Sequence, residues 1–223
     1  MKVLGVDGCA GGWVGIVLGD NETQAHAGPT VAGVVEAAGS VELVAVDIPI
    51  CLPMAGPRAA DLAARVLLGP RRSSVFLTPM RRVIEEATFA EANNLSKSMV
   101  GKGITQQAFA LRSRILEIDR WAPTSPVAVY EVHPEVSFLR MAECHLTTRK
   151  VTWNGALERR RLLEMAGIAL PDDLGQAGNI AGIDDVLDAA AAAWTGRRIA
   201  TGQATSYPDP PEDLGGWPTA IWA

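Results

Sequence analysis

Two apolar segments in the N-terminal quarter of the chain each end in an aspartate. Asp7 closes the run Lys2–Asp7, and Asp47 closes the run Val41–Asp47. Short apolar runs of this kind are typical of buried strands. In open α/β sheets, ligands bind outside the carboxyl ends of the strands. If the two strands are parallel, both carboxylates emerge at one edge of the sheet, where they are costly unless paired or metal-bound. The alternative is that each aspartate only caps the turn that follows it.

A late segment, IDDVLDAAAAAW, carries three more aspartates within about one helical turn. Asp185 and Asp188 are three residues apart, and Asp184 and Asp188 are four apart, so either pair shares a helix face. Acids packed this closely repel one another unless a cation or water lies between them. Asp184 also fits a solvent-facing position at the positive end of a helix, so we keep it out of the primary candidates.

A further acid, Glu131, lies near the end of the apolar run Val127–Val132. The candidate catalytic residues are therefore Asp7, Asp47, Glu131, Asp185 and Asp188. Carboxylate oxygens are hard ligands that suit Mg²⁺ or Mn²⁺. Two such ions about 4 Å apart can clamp the attacking and leaving oxygens of a phosphoryl transfer.

Candidate phosphate-binding groups lie in the proline-bounded loop Gly69–Met80, which contains Arg71, Arg72, Ser73 and Ser74. Arginine forks match phosphate oxygens, and serine hydroxyls add further donors. The alternative is that both arginines pair with acids in an acidic protein.

Lys102 and His133 complete the candidate substrate-binding residues. Lys102, in the sequence GKGIT, is a second anion contact or a solvated loop lysine. His133 follows a strand and precedes a proline, so it is either a metal ligand or general base, or a hydrogen-bonded structural histidine.

These residues must be positioned by a mixed sheet, because a hairpin comes first and later strands alternate with helices. The remaining predicted strand is Trp13–Leu18, and the tail from Tyr207 is predicted to lack regular structure. The predicted helices are a short one capped by Thr30, Arg58–Leu68, Arg81–Ala92, Thr105–Trp121, one beginning at Pro134, Gly155–Ala166 and Ile183–Arg198.

The composition indicates a single globular domain over residues 1–223, with a helical insertion at about residues 57–122. The chain is 48% apolar and carries a formal net charge of −5, which excludes a broadly basic nucleic-acid wrapper. Three cysteines lack the spacing of a disulfide framework or a zinc site. With no apolar run long enough to span a membrane, we expect a soluble, cytoplasmic protein that does not contact membranes.

Five motifs occur in order along residues 1 to about 200: VDGCAGGW, VDIPICLP, LLGPRRSSVF, EVHPEVSF and DDVLDA. Together they resemble a bacterial and archaeal family of unknown function whose members are described as predicted RNase H-like nucleases. The resemblance implies an α/β fold with an RNase H-like mixed five-stranded sheet flanked by helices. It also implies a metal-dependent nuclease or phosphodiesterase that acts on nucleic acid by two-metal-ion hydrolysis.

The pattern is also similar to the RuvC resolvase group, where a first-strand aspartate, an acid near the fourth strand and a late-helix DxxDA supply the metal ligands. That similarity assigns the metal to Asp7, Asp47, Asp185 and Asp188, while Glu131 belongs to the family's EVHPE motif. The chain departs from the family pattern at Cys51, where a glycine is expected.

Two other function classes stay open at this point. One is an ATP-handling protein of the actin-like branch, although such proteins usually carry two copies of the domain and 223 residues is short for that. The other is a non-catalytic binding module that kept the fold. The expected partner is a nucleic acid or nucleotide substrate. The sequence leaves the oligomeric state open, with a homodimer among the alternatives.

Overall fold

The computed structural model describes residues 1–20 and 22–223, which contain seven strands and ten α-helices. The strands are β1 (Val3–Cys9), β2 (Gly12–Leu18), β3 (Thr23–Gly28), β4 (Leu43–Val46), β5 (Ala128–Glu131), β6 (Ser206–Leu214) and β7 (Trp217–Trp222). The helices are α1 (Val31–Ala38), α2 (Ala59–Leu68), α3 (Arg81–Ile84), α4 (Phe89–Val100), α5 (Gln106–Ala110), α6 (Arg112–Trp121), α7 (Pro134–Ala142), α8 (Trp153–Met165), α9 (Gln176–Ile180) and α10 (Ile183–Ala200).

The chain divides into two compact units. The first comprises Met1–Ile48, Ser125–Thr205 and Trp222–Ala223, and the second comprises Pro49–Thr124 and Ser206–Ile221. The second unit thus contains the segment 57–122, for which the sequence predicts a helical insertion. The description of this segment as an insertion within a single domain stays a prediction.

The first unit is built on a five-stranded sheet in the order β3-β2-β1-β4-β5. β1 pairs antiparallel with β2, which pairs antiparallel with β3, whereas β4 runs parallel to both β1 and β5. Apart from Asp7 near the end of β1, the central strands β1, β2 and β4 carry no charged residue, as is typical of strands covered on both faces. This mixed sheet flanked by helices confirms the predicted fold class, and its arrangement is consistent with an RNase H-like fold.

Helices α1 and α10 cover opposite faces of the sheet. A Cβ added at Gly5 would meet the backbone of α10, whereas a Cβ added at Gly15 would meet Val34 of α1. Gly15 pairs with Val6, the neighbour of Gly5, and successive side chains along a strand point to opposite faces. Residues on the Gly5 side of β1 therefore face α10.

The second unit contains helices α2 to α6 and the hairpin of β6 and β7, of which β7 ends with a residue of the first unit. Arg58 and Asp61 form a buried ion pair with Nη2 and Oδ1 2.5 Å apart. Asp61 also accepts hydrogen bonds from the backbone N–H and the hydroxyl of Thr78. The start of α2 is thereby tied to the chain that precedes α3.

The prediction that the tail from Tyr207 lacks regular structure is wrong, because this segment forms the β6–β7 hairpin. Pro208, Pro210 and Pro211 lie in β6, which has one neighbouring strand in its two-stranded sheet. A strand paired on one side only tolerates prolines, since half of its N–H groups need no partner. The two strands are joined by Gly215 and Gly216, whose positive φ values of 66° and 88° suit a tight hairpin turn.

Two predicted helices are each divided in the structure. The segment 81–92 holds the short α3 and the start of α4, because Thr88 caps α4 through a reciprocal capping box with Glu91. The segment 105–121 is divided between α5 and α6 at Leu111, which leaves helical geometry with φ −86° and ψ 0°. Apolar spacing continues across both breaks, so periodicity alone does not reveal them.

None of the helices in the described part of the chain is both long enough and apolar enough to cross a membrane.

Candidate metal centre

Parallel pairing of β1 with β4 places Asp7 beside Asp47. The ladder aligns Val6 with Val46, and the next residue along the chain from each is an aspartate, Asp7 within β1 and Asp47 directly after β4. The backbone N–H of Asp47 donates to the carbonyl of Val6 at 2.9 Å, which holds the two strand ends together. The prediction that both carboxylates emerge at one sheet edge is confirmed.

Close packing of α10 on the sheet brings Asp188 to the same edge. Asp7 lies two residues after Gly5, on the face of β1 that α10 covers. A Cβ on Gly5 would lie 2.0 Å from the backbone nitrogen of Ala193 and 2.2 Å from the carbonyl oxygen of Ala189. The small side chains of the alanine run that follows Asp188 are fully buried. Glycine on the strand and alanine on the helix thus permit an approach that larger residues would block.

The three aspartates form one cluster of carboxylates. Asp7, Asp47 and Asp188 each offer one oxygen, and these oxygens all lie within 4.8 Å of one another. The side chains of Asp7 and Asp188 are buried, and Asp47 is partly buried. Asp7 Oδ1 accepts a hydrogen bond from the backbone N–H of Gly8 at 2.6 Å. The predicted convergence of these three acids is therefore confirmed.

Burial and neighbouring acidic charges disfavour the charged form of all three carboxyls. Burial, and then the neighbouring Asp47 and Asp188 charges, raise the pKa of Asp7 well above its ordinary value. Burial is also the largest cause for the other two, and it raises the pKa of Asp47 and of Asp188 to about 7 each. A positive charge placed among these groups would therefore stabilise their ionised form.

Lys150 is a site residue that the sequence analysis missed. Its ammonium donates to Asp188 Oδ2 and lies 3.9 Å from Asp184 Oδ2. Burial is the largest single effect on the pKa of Lys150 and would lower it, but the charge and hydrogen bond of Asp188, together with the charges of Asp47 and Asp7, outweigh burial and raise the pKa. Lys150 lies in an irregular segment between α7 and α8, in the sequence TTRKVTW. No local pattern marks such a lysine, because its role arises only when the loop meets α10.

The cluster fits a divalent cation by its donors. All three groups are carboxylates, which are the hard oxygen ligands that Mg²⁺ and Mn²⁺ prefer. Asp188 Oδ1 is buried and has no hydrogen-bond partner in the described part of the chain. An unsatisfied buried oxygen is costly, and a cation bound at this edge would satisfy it.

The remaining acid candidates lie next to the cluster but outside it. Asp185 Oδ2 accepts a hydrogen bond from the backbone N–H of Gly182 at 3.1 Å, which caps the first turn of α10. Glu131 is buried at the end of β5, where it pairs with Val46, and its charge contributes to the raised pKa of Asp47. Both residues therefore act on the electrostatics of the cluster without belonging to the three converging carboxylates.

His133 lies directly before α7 in the first unit. It is partly buried, and its carbonyl accepts hydrogen bonds from the N–H groups of Val136 and Ser137 at 2.9 and 3.0 Å. Its backbone thus helps to start α7, while a role for its imidazole stays a prediction.

The other predicted substrate-binding residues belong to the second unit. Gly69–Ser74 forms a 3₁₀ helix in which Ser74 Oγ donates to the Arg71 carbonyl at 2.9 Å, and Arg72 and Ser73 are exposed. Lys102 is exposed in the loop after α4.

Cys51, the departure from the expected glycine, adopts the left-handed backbone conformation with φ 66°. Only glycine adopts this conformation without steric strain. The thiol of Cys51 donates to the Leu214 carbonyl at 3.1 Å within the second unit. The expectation of glycine at this position therefore has a backbone reason.

Comparisons with known proteins assign a family and no activity. No curated protein and no solved structure matches the chain. A family model described as a protein of unknown function, DUF429, matches residues 5–213. That span contains all three aspartates of the cluster as well as Lys150. The chain therefore belongs to the DUF429 family of proteins of unknown function.

Proposed function

We propose that this protein is a metal-dependent nuclease or phosphodiesterase of the RNase H-like superfamily that hydrolyses phosphodiesters in nucleic acid by a two-metal-ion mechanism. The observation that carries the proposal is the convergence of Asp7, Asp47 and Asp188 at one sheet edge. Two buried acids and one partly buried acid that repel one another are costly to the fold, and a bound cation would offset that cost.

The chain's own residues bind the cation and maintain the charge of the site. Asp7, Asp47 and Asp188 would hold Mg²⁺ or Mn²⁺, with Asp185 and Glu131 completing the predicted catalytic acids. When bound, the metal ions would activate water and stabilise the charge that develops on the phosphate oxygens. Lys150 keeps a positive charge beside Asp188 and offsets part of the negative charge of the cluster.

Substrate contacts in the proposal come from Arg71, Arg72, Ser73, Ser74, Lys102 and His133. Arginine, lysine and hydroxyl groups are the usual hydrogen-bond donors to phosphate in proteins.

The proposal includes a cytoplasmic location. Cys9, Cys51 and Cys144 are all free thiols, as a reducing compartment favours.

Two observations favour a nuclease over the alternatives. The described part of the chain holds one five-stranded sheet and one two-stranded sheet, whereas the actin-like ATP-handling proteins usually carry two copies of their sheet domain. A non-catalytic binding module has no need to keep three costly acids together.

The test is hydrolysis of single-stranded, duplex, hybrid and branched nucleic acids by the purified protein with Mg²⁺ or Mn²⁺. Asp188→Asn is expected to lower turnover by at least about a hundredfold, because it removes a metal ligand at nearly constant shape. Asp184→Asn is the matched control on the same helix, since Asp184 lies outside the cluster, and it is expected to keep most of the activity.

Equal activity in wild type and Asp188→Asn would assign the hydrolysis to a contaminant and overturn the proposal. Inactivity of wild type on every nucleic acid, together with hydrolysis of ATP, would instead establish the actin-like alternative.

A further inference from the structure

The second unit contains a cleft of about 590 Å³ between the segment that follows α2 and the loop that follows α4. This volume lies within the range of roughly 300–1,000 Å³ that small-molecule sites occupy. Two of its lining residues, Ser73 and Lys102, come from separate motifs that the sequence analysis singled out for phosphate binding. The fold has therefore brought these two motifs to one cavity.

The cleft is positively charged in a protein whose net charge is −5. Arg65 and Lys102 line it, and no aspartate or glutamate lines it in the described part of the chain. Arg65 is held in place because its Nη1 donates to the Val75 carbonyl at 2.5 Å. Two cations without an opposing acid favour an anionic ligand.

Lys102 is held by its backbone and left without a partner for its side chain. Ser96 Oγ donates to the Lys102 carbonyl at 2.7 Å. Gly101 before it has φ 73°, and a Cβ on Gly103 after it would lie 2.0 Å from Asn93 Oδ1. The backbone at Gly101 thus favours glycine, and a side chain at Gly103 would require Asn93 to move, while the Lys102 ammonium makes no hydrogen bond or ion pair with any described residue. A fixed backbone that carries an available cation is an arrangement suited to ligand binding.

The rest of the cleft is largely apolar. Phe76 and Ile104 are partly buried in its wall, and Leu77 and Val100 remain exposed, at 42% and 47% respectively. A ligand that carried only charge would leave this surface in contact with water. An aromatic ring packed on such a wall, beside Phe76, would bury this apolar area.

We propose that this cleft binds one nucleotide unit, with the phosphate at Lys102 and Ser73 and the base against the apolar wall beside Phe76. The inference rests on the proposed function, because a nucleotide is the repeating unit of the proposed substrate. It assigns a binding role to the second unit that does not depend on the aspartate cluster.

The test is calorimetric titration of the full chain with adenosine monophosphate, adenosine and inorganic phosphate, in EDTA so that no divalent metal contributes. Wild type is expected to bind the monophosphate more tightly than adenosine or phosphate. Lys102→Ala is expected to weaken monophosphate binding about tenfold, because it removes a charge-assisted hydrogen bond. Ser73→Ala is expected to weaken it by a smaller factor, because its hydroxyl is neutral.

Lys97→Ala is the matched control, since Lys97 is an exposed lysine of α4 that does not line the cleft. It removes the same charge and is expected to change binding less than about twofold. Equal weakening by Lys97→Ala and Lys102→Ala, or monophosphate binding no tighter than that of phosphate or adenosine alone, would overturn the inference.

The inference and the proposed function fail separately. Asp188→Asn is expected to bind the monophosphate as wild type does, because Asp188 does not line the cleft. Monophosphate binding that depends on Lys102, in a protein that hydrolyses no nucleic acid, would support the nucleotide site in the cleft and contradict the proposed nuclease activity. Hydrolysis that depends on Asp188, without monophosphate binding, would support the nuclease activity and contradict the nucleotide site.

Discussion

Lys150 offsets part of the negative charge of the three clustered carboxylates when no metal is bound. Its ammonium lies against Asp188 and near Asp184, and its charge lowers the pKa of Asp47 and of Asp188 against the larger effect of burial. A divalent cation would offset the same negative charges more strongly, since it carries twice the charge. Lysine and metal therefore stabilise the cluster through the same electrostatic effect.

We predict that Lys150→Gln destabilises the metal-free protein by about 1–2 kcal/mol, less than the roughly 3–5 kcal/mol for breaking a fully buried pair. The smaller value applies because the Lys150 side chain is 38% exposed. Chemical denaturation in EDTA and in Mn²⁺ measures the effect, and the deficit is expected to shrink in Mn²⁺.

Arg149→Gln is the control for Lys150→Gln, because Arg149 is its exposed neighbour and carries the same charge. We expect this variant to change the free energy of unfolding by less than about 0.5 kcal/mol. A Lys150→Gln deficit of the same size with and without Mn²⁺ would contradict the shared electrostatic effect.

At the scale of elements, the contact between α10 and β1 determines whether a site exists. The buried alanines of α10 lie against Gly5, and Asp188 directly precedes them on the helix. Any outward displacement of the helix would carry Asp188 away from Asp7. The close packing of α10 on β1 is therefore required for the geometry of the aspartate cluster.

We predict that Gly5→Ala costs more than about 3 kcal/mol or prevents folding, because the added methyl group meets helix backbone that cannot rotate away. Gly11→Ala in the same hairpin is the control, since its nearest neighbour would be Ile180 at 3.8 Å, an ordinary contact. Urea denaturation of both variants measures the difference, and equal stability would show that α10 can retreat from the sheet without cost.

Elements and residues differ in how far the sequence predicts them. The strands that end at Asp7 and Asp47 are predictable, because their apolar runs are continuous and end at an acid. The sequence does not predict β3, because TQAHAG lacks a clear alternation of apolar and polar residues. In the structure every residue of this strand is partly buried. Lys150 was missed for a different reason, because its contacts depend on tertiary packing. The strand β6 was missed because its prolines outweighed the Gly215–Gly216 turn signal that follows them.

At the scale of the whole molecule, the cluster couples stability to pH. The pKa of Asp47 and of Asp188 is about 7 in the folded protein against 3.8 for an ordinary aspartate. Between about pH 4 and 7 the folded state therefore binds more protons than the unfolded state, and the free energy of unfolding falls as pH rises. Below pH 4 both states are protonated at these groups, and above about 7 neither is, so their contribution is constant there.

Metal binding is expected to show the opposite pH dependence, because protons compete with the cation for the same oxygens. We predict that Mn²⁺ at a concentration about 100 times its Kd raises the melting midpoint by roughly 5–10 °C. The rise is expected to be larger at pH 8 than at pH 6.

Asp47→Asn is expected to stabilise the metal-free protein at pH 8 by roughly 1–3 kcal/mol and to remove the Mn²⁺ effect. Asp172→Asn, whose side chain is 98% exposed, serves as the control and should leave both effects as in wild type. A midpoint that Mn²⁺ raises equally at both pH values, or equally in wild type and Asp47→Asn, would mean that the metal binds elsewhere on the molecule.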